Sequence, residues 1–123
     1  MLRERDSPMI LPSELQWLDG VAVSVVACDT SGICTYMNES ACQLFAKDGG
    51  RALLGRSLID CHPEPARSRL LDMLRTPCAN SYTVEKAGTK RLIHQAPFSR
   101  DGVFAGVVEI GIDLPDALPH FVR

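Results

Sequence analysis

The stretch from Val21 to Asn38, VAVSVVACDTSGICTYMN, constrains the fold more than any other. An apolar, β-branched run meets Asp29-Thr30-Ser31-Gly32, and a second short strand-like run ends at Asn38. An Asp side chain can accept backbone N–H groups a few residues on, and Gly takes positive φ at little cost. Asp29 and Gly32 therefore predict a turn between two antiparallel strands. Asn38 offers a side-chain oxygen to the free N–H groups of a helix beginning at Glu39. The expectation is a β-hairpin that feeds at once into a helix.

Residues 1–12 read as a flexible leader, with Pro8 and Pro12 opposing regular structure. Ser13-Glu14-Leu15-Gln16 has the form of a capping box opening a short helix, which Asp19-Gly20 stops. After the hairpin, a helix over about 39–46 turns Ala41, Leu44 and Phe45 inward. Residues 52–63 read as irregular or as short helical turns. A longer helix follows over about 64–75, with Ala66, Leu70, Met73 and Leu74 on one apolar face. The last third is β, with Ser81–Lys86 and Lys90–Phe98 flanking Ala87-Gly88-Thr89. A second turn at Arg100-Asp101-Gly102 leads to a strand in which Val108, Ile110, Ile112 and Leu114 alternate with polar or small residues, predicting one buried face. Hairpins at both ends with helices between them make an α+β domain over 13–114, followed by a tail over 115–123.

The chain's 123 residues fit one domain, and 46% apolar residues with mixed charge fit a folded, soluble one. A net charge of −2 gives no reason to expect nucleic acid or an anionic membrane as partner, and no apolar run is long enough to span a bilayer. No signal peptide is evident. The five cysteines, Cys28, Cys34, Cys42, Cys61 and Cys78, are odd in number and lack Cys-x-x-Cys spacing. That opposes a zinc ribbon or a secreted disulfide framework and fits reduced thiols in a cytoplasm.

The Asp29-x-x-Gly32-x-x-x-x-x-Asn38 spacing resembles the start of a PAS domain. Leu53-Leu54-Gly55-Arg56-Ser57-Leu58 and the closing hairpin with Gly102 and Gly106 extend the similarity over about 13–114. The resemblance implies a five-stranded antiparallel sheet, helices packed on one face and a short N-terminal helix. It also implies a bacterial sensory or interaction module rather than an enzyme, binding a small molecule or a signalling protein. The run Cys61-His62-Pro63-Glu64-Pro65-Ala66-Arg67-Ser68 looks like that of a bacterial PAS subgroup whose ligands are mostly unassigned.

Two cofactor types can be compared position by position. Flavin-photosensing members carry a reactive Cys where this chain has Leu58, and a haem-ligating His of oxygen sensors is replaced by Leu70. Haem held through another residue stays open, and the cofactor is unknown. Strand and helix faces nominate Tyr36, Phe45, Leu58, Leu70, Leu92 and His94 as pocket residues. His94 would point inward with Leu92, Ala96 and Phe98, and Gln95 outward. Leu15, Trp17 and Leu18 nominate a homodimer interface, because PAS domains commonly pair through an N-terminal helix. No metal-ligand spacing joins Cys61, His62 and His94. The rival reading is a small Cys-dependent redox sensor or enzyme centred on Cys61 beside His62. The chain is expected to carry no effector domain.

Overall fold

A computed structural model describes residues 11–123, so most of the segment read as a leader (1–12) lies outside the described residues. Strands β1 (Ser24–Asp29) and β2 (Cys34–Met37) form the first hairpin. Asp29 Oδ1 accepts the N–H of Ser31 at 2.9 Å and of Ile33 at 3.0 Å, while Gly32 takes a φ of 82°. The side-chain acceptor and the left-handed glycine together close the turn.

Asn38 then opens α2 (Glu39–Leu44), its Oδ1 accepting the Ala41 N–H at 3.0 Å. The same oxygen accepts the Val25 N–H at 3.0 Å. Nδ2 donates to the carbonyls of Leu18 at 3.1 Å and Val23 at 2.7 Å. A primary amide has two donors and two lone pairs, and here all four are used by a residue with no exposed surface. One side chain thereby ties together the first strand, the segment before it and the helix after it.

The N-terminal helix starts differently from expectation. The capping box at Ser13 does not form: residues 13–15 make a 3-10 turn, closed by the Leu15 N–H on the Pro12 carbonyl at 2.8 Å, and the Ser13 hydroxyl turns to the Glu14 carboxylate. Backbone already meets the need that Ser13 would have met. Helix α1 (Gln16–Gly20) is little more than one turn.

Between the hairpins, residues 53–58 run along the free edge of β2. Gly55 donates to the Cys34 carbonyl and Cys34 to the Arg56 carbonyl, both at 2.9 Å, which covers an otherwise open sheet edge. Ser57 caps α3 (Leu58–Cys61) by accepting the Asp60 N–H at 3.2 Å. Helix α4 (Ala66–Arg75) follows, burying Leu70 and Met73.

Strands β3 (Asn80–Lys86), β4 (Thr89–Arg100) and β5 (Val103–Asp113) are joined by two-residue turns, Ala87-Gly88 and Asp101-Gly102, with all four residues at positive φ. Such turns match the right-handed twist of the flanking strands. All pairings are antiparallel, in the order β2-β1-β5-β4-β3, so the last strand in sequence sits at the centre of the sheet. Helices α2–α4 cover one face, and the core between them and the sheet includes Cys28, Cys34, Met37, Ala41 and Met73.

Near the second turn β5 carries one extra residue. Ser99 pairs with Phe104 and Phe98 with Gly106, leaving Ala105 as a bulge. Gly106 has a φ of 154°, and a Cβ there would overlap the Cys28 carbonyl oxygen and press on the Phe98 ring. The site requires glycine.

The face assignments of β4 and β5 need correction. Ile93, Gln95, Val107 and Glu109 face the helices, whereas Leu92, His94, Ala96 and Phe98 share the opposite face with Val108 and Ile110. Val108 and Ile110 are half-buried and Ile112 is exposed. An apolar alternation marks one face of a strand. It does not say which face the helices cover.

Candidate functional site

A cavity of about 790 Å³ lies between the sheet and the α2–α4 region, a size suited to a small organic molecule. Its floor is apolar at one end, where Val26, Cys28, Met37 and Val107 rise from β1, β2 and β5. Phe45 just past α2, Leu53 at the end of a 3-10 turn over Gly50–Leu53, Leu58 of α3 and Leu70 of α4 close the other side. Towards β3 the wall becomes polar. Arg69, Asn80, Tyr82, Gln95 and Glu109 line it, with Asp48 and His62 on the helical side.

Four of these groups form a continuous relay. Arg69 Nη1 donates to Asn80 Oδ1 at 3.0 Å, Asn80 Nδ2 to Gln95 Oε1 at 2.9 Å, and Gln95 Nε2 to Glu109 Oε1 at 2.9 Å. Strand register makes this line: Asn80 stands opposite Gln95, and Gln95 opposite Glu109, on adjacent strands. The guanidinium sits on the exposed rim, while the carboxylate is half-buried on the central strand. Tyr82 stands beside the line, and burial pushes its hydroxyl up in pKa, with the Glu109 carboxylate adding to the rise.

Three of the residues nominated from sequence, Phe45, Leu58 and Leu70, meet in this cavity. The other three are elsewhere. Tyr36 projects from β2 towards α1, where its hydroxyl donates to Asp19 Oδ1 at 3.3 Å. His94 Nδ1 lies 2.6 Å from the Ser81 hydroxyl on the outer face, and Leu92 shares that face. Gln95, expected to point away, lines the cavity instead. The relay residues were missed because their alternation was polar and so read as solvent-facing. A signal existed: counting back from the Ala87-Gly88 turn pairs Asn80 with Gln95.

The positions compared with cofactor-binding relatives both open into the cavity. Leu58 and Leu70 bring neither a thiol nor an imidazole to it. Cys61 also lines the cavity, with its sulfur 3.8 Å from His62 Nδ1. Partial burial pushes its thiol up in pKa, the wrong direction for an activated thiolate. Among the described residues no three His, Cys, Asp or Glu side chains are grouped to hold a metal ion. All five cysteines are free. Leu15 and Trp17 are exposed near the N-terminus, Trp17 by 63%, whereas Leu18 is half-buried. No helix among the described residues is long and apolar enough to cross a membrane.

Comparison with solved structures returns the same architecture. The PAS domain of the histidine kinase ThkA aligns with a TM-score of 0.61 at 22% identity, covering 74% of this chain and 98% of that one. The Aer2 receptor from Vibrio cholerae, described as a dual PAS-heme oxygen sensor, aligns with a TM-score of 0.55 at 20% identity, over 80% of this chain and 99% of that one. VqmA from Vibrio cholerae, described as a dimer with a DNA-binding mechanism, gives 0.64 at 14% identity and 88% coverage of this chain. The aligned part spans about half of VqmA, 53% of its chain. VqmA has also been solved bound to DPO. No curated protein matches the chain. The family model described as PAS fold matches residues 16–103, most of the chain, and with the sheet order and the helical cover it establishes that the protein belongs to the PAS family.

Proposed function

We propose that the domain, residues 13–114, is a sensory module that binds a small amphipathic molecule between its sheet and helices. The observation that carries this reading is the pairing, in one cavity, of an apolar floor with a polar relay. A cavity kept only for packing would be filled or dry and apolar. This one presents hydrogen-bonding groups in a row. The similar structures include a PAS domain of a histidine kinase, a receptor described as a dual PAS-heme oxygen sensor, and VqmA solved with DPO. In this chain the ligand would favour one placement of α3 and α4, and the changed placement would reach a partner by population shift. A second copy is the partner supported by the exposed Leu15 and Trp17 and by the apolar outer face carrying Leu92, Phe98 and Ile110. The five free thiols suit a reducing compartment.

The test is titration with the fluorescent neutral probe N-phenyl-1-naphthylamine, with native mass spectrometry to count bound molecules and subunits. Expected are one saturable site per chain, about a tenfold or greater loss of affinity in Leu58→Trp, which fills the cavity, and no change in His94→Ala on the outer face. Equal affinity in the parent and Leu58→Trp, or a loss in His94→Ala alone, would refute the cavity as the ligand site.

A further inference from the structure

We infer that the cavity selects an uncharged or cationic ligand whose N–H or O–H group donates to Glu109, and that it rejects carboxylates built on the same apolar frame. The inference rests on the ligand-sensing reading above and deepens it. Its basis is the direction of the relay. A guanidinium can only donate and a carboxylate can only accept, so the two ends fix the orientation of both amides between them. Asn80 must give its oxygen to Arg69 and an N–H to Gln95, and Gln95 must give its oxygen to Asn80 and an N–H to Glu109.

With the direction fixed, the unused capacity is fixed too. Among the described residues no hydrogen bond reaches Glu109 Oε2, and Gln95 Nε2 keeps a second N–H. A ligand N–H or O–H group would bind the carboxylate as a charge-assisted donor, while a neutral ligand oxygen could accept from Gln95. The apolar part of the molecule would lie on Val107, two residues along the same strand, and on Val26 and Cys28 beside it.

Depth decides the sign of charge. Glu109 is half-buried on the central strand, whereas Arg69 is exposed at the rim, where water and salt screen it. Asp48 and Arg69, both in the lining and both exposed, are screened alike and leave Glu109 as the sheltered charge. A ligand carboxylate seated on the apolar floor would stand against Glu109, and two like charges in a sheltered site oppose each other. The rim guanidinium already has a partner in Asn80 and does not offset that repulsion at depth.

Three probes of one frame separate the alternatives: 1-naphthamide, 1-naphthylmethylamine and 1-naphthoate, titrated calorimetrically into the full chain at neutral pH. Expected is binding of the amide and the amine about tenfold or more tighter than the carboxylate. In Glu109→Gln the amine should weaken by a similar factor and the carboxylate should tighten. Naphthoate binding as well as the other two, or a preference that survives Glu109→Gln, overturns the inference and leaves the cavity reading standing. So does binding of N-phenyl-1-naphthylamine with none of the three. Failure of all four probes overturns both.

Discussion

Two polar systems lie under the same sheet and behave in opposite ways. Around Asn38, at the β1–β2 end, every donor and acceptor of one fully buried amide is occupied by backbone. Along Arg69, Asn80, Gln95 and Glu109, at the β5–β4–β3 end, each group has a partner but the line stops with capacity to spare. Buried polar groups cost stability unless they are satisfied, so the saturated Asn38 amide holds the fold together, whereas the half-buried and exposed groups of the relay are free to exchange water for a ligand. The closed end is the frame of this domain. The open end is its proposed site.

Gly106 joins the two ends and should give the largest effect. Its conformation makes the bulge that slides β5 by one residue, so that Glu109 rather than Val108 meets Gln95. Gly106→Ala would force a Cβ against the Cys28 carbonyl oxygen. Expected is a loss of about 3 kcal/mol or more in urea unfolding, since neither the strained backbone nor the packed strand can yield cheaply. A loss under about 1 kcal/mol would show that β5 can re-register, and that the bulge does not fix the relay.

A smaller effect separates the ends by pH. Cys34, almost fully buried in the closed end, has its thiol pushed by burial from 9.0 to about 12. The folded chain holds that proton more tightly than the unfolded chain. Its contribution to stability is therefore intact below pH 9.0 and is lost as pH rises towards about 12. Unfolding midpoints in reducing buffer should fall through that window, with a slope approaching about 1.4 kcal/mol per pH unit from this group. Cys34→Ala should flatten the fall, and Cys61→Ala, at the exposed cavity wall, should flatten it less. Equal flattening by both would contradict the contrast between a closed and an open end.

The closed end could be read from sequence and the open end only in part. Asp29, Gly32 and the Asn38 cap on Ala41 act through their own backbone neighbourhood, and short-range chemistry announces itself in spacing; the Asn38 bonds to Leu18, Val23 and Val25 are long-range and left no such mark. Phe45 and Leu70 were reachable because helical periodicity points apolar residues at the sheet, although the same reasoning turned Leu44 inward and that side chain is 50% exposed. The relay was not reachable in the same way. Asn80 and Gln95 align by counting from their turn, but counting from Asp101-Gly102 pairs Gln95 with Val108, and only the Ala105 bulge brings in Glu109. A slip of one residue moves a whole strand to the other face. His94 and Leu92 were misplaced for a related reason: the outer face of β4 and β5 carries the more apolar alternation, while the face towards the helices carries the polar relay.

The most direct test compares two isosteric changes, Asn38→Asp and Glu109→Gln, by urea unfolding of each against the parent. Asn38→Asp removes both donors of a saturated amide, leaves the Leu18 and Val23 carbonyls unpaired and buries a charge, and should cost about 3 kcal/mol or more. Glu109→Gln keeps an oxygen for Gln95 and should leave stability within about 1 kcal/mol of the parent. Losses of equal size in the two variants would contradict the division of this domain into a structural end and a site.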